Sequence, residues 1–175
     1  MGGAIRLNKF RFLCTFLVAF ALLLVAWQQA DGARWYTRAL LAGAALVGPA
    51  LHGWVLETAS DGAPRPTWVH GNRHVRAAVQ FDALAVGLVP LLALILATPG
   101  VDLRRRPLLV VSGAVLYFAV DTLIVALFPL LVFYKNPFTD VLGTFLGLIT
   151  FVGAPVIIWF GLTFHQLRQG LRPLQ

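Results

Sequence analysis

Four blocks of almost unbroken apolar sequence, at about 10–27, 79–97, 107–133 and 138–164, constrain this chain more than anything else in it. Crossing ~30 Å of hydrocarbon takes about 20 apolar residues in a helix, and each block is close to that length or longer. A soluble domain carries about 25% charged residues, whereas charged side chains make up 12% of this chain and hydrophobic ones 59%. Lipid offers the backbone no hydrogen-bond partner, so each crossing segment must satisfy its own amides, as a helix does. The expectation is one all-α domain over residues 1–175, a polytopic integral membrane helical bundle whose principal partner is the lipid bilayer.

A fifth block, about 37–56 ("TRALLAGAALVGPALHGWVL"), is ambiguous, being diluted by alanine and interrupted by Pro49 and His52. The net charge of +7 arbitrates through its distribution. Arg6, Lys9 and Arg11 precede the first block, Arg104, Arg105 and Arg106 lie between two others, and Arg168 and Arg172 follow the last. If 37–56 does not fully cross, all three clusters and both termini face the cytoplasm, in keeping with the positive-inside rule. The favoured arrangement is therefore four spans plus one re-entrant or interfacial helix, with five full spans as the alternative. Residues 57–78 then form an outer loop, since Pro64, Pro66 and the local glycines break any apolar period. Trp27, Trp35, Trp54 and Trp68 fall where aromatic belts are expected. Basic residues confined to span ends argue against nucleic acid as a partner.

Cys14 is the only cysteine, which excludes an internal disulfide, and its apolar neighbours suggest a small buried hydrophobe. The opening "MGGAIRLNKFR" and the apolar run after it resemble a secretory signal. No small-x-small cleavage site follows, so the run reads as an uncleaved first span. Arg6 stands where myristoylation would want Ser or Thr.

Two carboxylates in the apolar blocks matter most, since insertion costs about 2.5–3.5 kcal/mol near the bilayer centre. Asp82 opens the 79–97 block, as a first-turn residue that the helix dipole favours. Asp121 lies ~21 Å along the helix from Pro107, too deep for its short side chain to reach water. It reads as a functional or assembly position, with Gln80, Asp82, Arg76 or Thr139 as candidate partners. The compact polar turn in "FYKNPFTDVLGTFLG" places Thr139, Asp140 and Gly143 at the opening of the last block. Gly143, Gly147 and Gly153 offer small faces for close helix contact. His70 and His74 are four apart, but Gly71 and Asn72 between them make a helical metal pair doubtful. No catalytic triad, phosphate loop or nucleotide fingerprint is present, and no cofactor or metal is expected.

The order of these features resembles the exosortase/archaeosortase group of membrane transpeptidases over residues 10–28 and 79–165. An apolar span ends at Pro99 and a basic loop, a long span follows with a polar residue past its middle, and "FTDVLGTFLGLI" opens the last span after a short turn. "RFLCTFLVAFALLLVAWQ" is also similar to the first span of those enzymes. The resemblance implies a Cys nucleophile near Asp82, an Arg near Ile124, and a His at Thr139 of "Thr139-Asp140-Val141-Leu142-Gly143". None of the three reactive residues is present. Thiolate transpeptidation needs a nucleophile, a base and a cation for the developing charge, so the chain is expected not to be an enzyme. It resembles the exosortase H-associated membrane proteins. That likeness implies a bacterial inner-membrane accessory for C-terminal protein sorting, with an exosortase or its tagged substrates as partner.

Two other readings stand beside it: a small transporter subunit using Asp82 and Asp121 as an ion or proton relay, and an unrelated polytopic scaffold. Topology is testable directly. Alkaline phosphatase fused after Trp68 should be active and the same enzyme fused after Arg105 inactive; the reverse pattern contradicts the favoured orientation.

Overall fold

The computed structural model describes residues 2–58, 66–76, 85–99, 101–133 and 136–170. Its elements run α1 (Gly2–Gln29), α2 (Gly32–His52), β1 (Val55–Thr58), β2 (Pro66–His70), β3 (Arg73–Arg76), α3 (Leu88–Ala97), α4 (Arg106–Phe133), α5 (Pro137–Leu148) and α6 (Ala154–Gly170). A π-helical turn, Ile149–Gly153, joins the last two helices. The protein is mostly helical, as its apolar blocks lead one to expect.

Among the described residues, two helices are long and apolar enough to cross a membrane: α1 over Phe10–Gln29 and α4 over Arg106–Phe133. They match the first and third expected spans. The other two are built from shorter pieces. Of 79–97, the described part is the apolar stretch Ala85–Ala97, which at 1.5 Å per residue reaches about 20 Å rather than ~30 Å. Its regular helix begins at Leu88, where Pro90 falls in the first turn and its missing N–H costs nothing. The 138–164 block is a rod made of α5 and α6, interrupted by the π turn, and the apolar stretch of α6 is Ala154–Phe164.

The ambiguous block is α2, 21 residues long, but Arg34, Arg38 and His52 make it too polar to count with the two apolar helices. Asp31, in the left-handed region at φ 52°, turns the chain sharply out of α1. Gly53, at φ 73°, ends α2, and its N–H bonds the Pro49 carbonyl. Tyr36 near the start of α2 meets Phe118 and Asp121 of α4, while Trp54 just past its end meets Phe133. α2 therefore advances toward the C-terminal end of α4 instead of returning to the Arg106 end.

At that Arg106 end, Phe12 packs on Trp159 with ring centroids 6.3 Å apart. The Trp159 indole N–H donates to the Thr98 hydroxyl at 2.7 Å. These contacts gather the first half of α1, the end of α3 and the first half of α6 near the loop carrying Arg104 and Arg105. Much of the outer helix surface is apolar, with Leu13, Leu17, Leu22, Val111, Val115 and Ile157 among the exposed side chains.

Several expectations need correction. The stretch expected as an outer loop contains an antiparallel meander, β1-β2-β3. Two residues, Gly71 and Asn72, join β2 to β3, and Gly71 takes φ 58°, which suits a tight primed hairpin turn. Trp68 is buried in this sheet, pairs with Leu56 and Val75, and packs on Phe128 of α4. Trp54 is buried as well, between His70 and Phe133. Both tryptophans are buried against α4 instead of serving as belt anchors, Trp68 on the inward face of β2 and Trp54 in the link between α2 and β1. Cys14 is exposed, not buried, since α1 keeps most of its surface outside the packed core.

The glycines also pack differently from expectation. A Cβ at Gly143 or Gly147 would meet nothing within 4 Å, so neither makes a close helix contact among the described residues. Close approach occurs instead at Gly43, beside Thr122, at Gly113, beside Ile95, and at Gly87, where a Cβ would collide with the Tyr117 hydroxyl. Gly87→Ala should therefore lower stability by roughly 2 kcal/mol, the scale of core overpacking. Adding Tyr117→Phe, which deletes the obstructing oxygen, should recover most of the melting temperature in detergent; failure to recover would refute the contact.

Candidate functional site

The sequence places Tyr36 one turn into an amphipathic helix, with Leu40, Leu41 and Ala44 sharing its buried side. That register turns the Tyr36 hydroxyl toward α4. It donates to Asp121 Oδ2 at 2.8 Å, across 85 residues of sequence. The Tyr36 ring is held edge-on by Trp27 and Phe118, with centroids 6.1 and 5.9 Å away, so the hydroxyl is aimed by packing. Asp121 has no exposed surface. Its second oxygen, Oδ1, is buried without a hydrogen-bond partner, as is the hydroxyl of the neighbouring Thr122.

A second polar contact lies one turn earlier on α4. Tyr117 is fully buried and its hydroxyl donates to the Thr150 carbonyl at 3.2 Å, inside the π turn. A π turn disturbs the regular helical ladder, and a phenol from the facing helix reaches that stretch of backbone. Tyr36, Asp121, Tyr117 and Thr150 thus tie α2, α4 and the α5–α6 rod together through polar groups in an otherwise apolar interior. Hydrogen bonds to charged groups are worth about 1.5–3 kcal/mol, and orphaning one buried partner costs at least as much.

The sequence-derived candidates do not converge on this junction. Asp121 is at its centre, but the partner the structure supplies is Tyr36, not Thr139. Gln80 and Asp82 lie outside the described residues, and so does the side chain of Arg76. Asp121 lies about three turns, ~18 Å, before the end of α4, and Thr139 lies beyond that end, in the first turn of α5.

The polar turn proves to be a helix start. The Asn136 side chain accepts the Thr139 N–H at 2.8 Å, and the Thr139 hydroxyl accepts the Asn136 N–H at 2.9 Å. This is the reciprocal arrangement of a capping box, with Pro137 at the first helical position. The Thr139 hydroxyl also donates to the Asn136 carbonyl at 2.9 Å. Asp140 occupies the same first turn, its side chain lying outside the described set, and Gly143 faces open space. Ile124, where the resemblance puts an arginine, is half-buried on α4.

His70 stacks on Trp54 at 5.4 Å, and His74 sits on β3 opposite Val69. Among the described residues, no group of three or more His, Cys, Asp or Glu side chains could hold a metal ion. Comparison with protein-family models, with curated proteins and with solved structures returns no match.

Sequence reasoning missed Tyr36, Thr122, Tyr117 and Thr150. For Tyr36 a signal existed, in the spacing of Tyr36, Leu40 and Ala44, which marks the packed side of α2. The cap yields its own test. Asn136→Ala should cost about 1 kcal/mol, and adding Thr139→Ala should cost little more, because the two side chains serve one another. Fully additive losses in chemical unfolding would contradict the capping role.

Proposed function

We propose that this protein is a non-enzymatic accessory of the bacterial inner membrane, with four spans, an interfacial α2 and both termini in the cytoplasm, acting beside an exosortase-type transpeptidase. The membrane reading rests on α1 and α4, on the apolar outer surfaces, and on Arg11 and Arg104–Arg106 gathering at one end of the bundle. In this reading α3 and the α5–α6 segment complete the four crossings.

The observation that carries the accessory role is the construction of the opposite end. There the β-meander is clamped to the end of α4 by Trp68 on Phe128, Trp54 on Phe133, and the Arg73 guanidinium 4.7 Å from the Phe133 ring centre. Together with the capped start of α5, this makes a stiff extracytoplasmic platform. The corner that resembles a catalytic turn uses its Thr139 oxygen for capping, which suits a scaffold better than a nucleophile or base. Such a platform would hold a sorting enzyme, or present the C-terminal tags of its substrates.

Affinity-tagged protein should co-purify in mild detergent with a Cys-bearing exosortase from the same cells. Replacing Trp68 with Ala should weaken that recovery at least about fivefold while leaving the protein in the membrane fraction. A source genome with neither such an enzyme nor tagged substrates would contradict the proposal.

A further inference from the structure

Orientation in a bilayer requires only that basic residues lie on one side of it; it does not require three consecutive arginines standing unpaired at a helix start. Arg104 and Arg105 are exposed, and Arg106 is half-buried as it opens α4. Among the described residues, none of the three guanidinium groups meets a carboxylate. Arg106 Nε is enclosed against the bundle without an acceptor. Asp102, the acid in the same loop, accepts the backbone N–H of Arg104 at 3.3 Å with its carboxylate. Arg11 of α1 is exposed at the same end of the molecule.

Next to these cations the outer side of α4 is apolar. Leu108, Val111 and Val115 are 67%, 58% and 60% exposed. Their spacing of three and four residues makes one continuous stripe leading away from the Arg104 turn. Leu103, in the loop itself, is 75% exposed. From this juxtaposition we infer that the Arg104–Arg106 turn binds the phosphate headgroup of an anionic glycerophospholipid, with an acyl chain lying along Leu108, Val111 and Val115.

The chemistry of the two halves selects the ligand. Guanidinium forks match phosphate oxygens in pairs, and basic clusters at the cytoplasmic end of a span attract anionic lipid. A free phosphate or an acidic peptide would meet the arginines but leave the apolar stripe beside them unused. The loop is also held in shape. The Arg105 and Arg106 N–H groups both donate to the Asp102 carbonyl, at 2.9 and 3.2 Å, so the three arginines leave one compact turn. The inference rests on the membrane reading of α1 and α4 and is independent of the sorting role.

The test melts the full chain in nonionic detergent micelles carrying phosphatidylglycerol or phosphatidylcholine of the same acyl composition, at equal ionic strength. Phosphatidylglycerol should raise the melting temperature of wild type by about 4 °C or more over phosphatidylcholine. That increment should vanish in Arg104→Gln/Arg105→Gln, whose side chains are exposed. It should persist in Arg34→Gln/Arg38→Gln, an equal loss of charge at the start of α2, near the level of Asp121. Inorganic phosphate should not reproduce it. Equal melting in the two lipids, an increment that survives Arg104→Gln/Arg105→Gln, one lost in both double variants, or one matched by inorganic phosphate overturns the site. Carbonate washing of cell membranes tells this failure from failure of the membrane reading. Protein that stays in the pellet yet gains nothing from phosphatidylglycerol refutes the lipid site alone, whereas release into the supernatant refutes both.

Discussion

The hydrogen bond from Tyr36 to Asp121 is the interaction on which the rest of this structure depends. Placing a carboxylate deep in an apolar interior costs several kcal/mol, and one charge-assisted hydrogen bond offsets part of that. The benefit is positional. Asp121 sits just past the middle of α4, and the hydroxyl delivered at its level engages one of its two oxygens. Tyr36 makes that delivery only if α2 leaves α1 through the tight turn at Asp31 and lies against α4 from its second turn onward.

Once α2 is held there, the layout of the molecule follows. Its far end delivers Trp54 to Phe133, and the chain continues as a meander whose inward face closes over the end of α4. The chain is then free to descend through α3 to the Arg104–Arg106 loop, beside the start of α1. The apolar surfaces left on α1, α4 and α6 have no complement among the described residues. In water that would be a severe liability; in lipid it is the expected exterior.

Some of this was legible in the sequence and some could not be. α1 and α4 were legible because a long apolar run bounded by basic residues has few other solutions. Asp121 stood out for the same reason, as a charge where none is cheap. Its partner was not legible, because pairing residues 85 apart depends on how two helices cross, which no local pattern encodes. The meander had a signal in Gly71–Asn72 between short alternating runs, outweighed by the prolines and glycines around it. Thr139 illustrates a different failure. Asn-Pro followed by Thr is chemically a cap, but its place in the chain invited comparison with a catalytic turn, and only the bonds to Asn136 distinguish the two. Gly143 and Gly147 match a helix-contact spacing without making the contact, since such a pattern says nothing about which side of a helix is covered.

The central claim is that Tyr36 and Asp121 act as one unit, and a double-mutant cycle measures that most directly. Unfolding free energies of wild type, Tyr36→Phe, Asp121→Asn and the double variant should reveal a coupling of about 1.5 kcal/mol or more, as expected for a buried hydrogen bond to a charged group. Independent, additive losses would mean that apolar packing alone holds α2 on α4, and would contradict the organising role of this hydrogen bond.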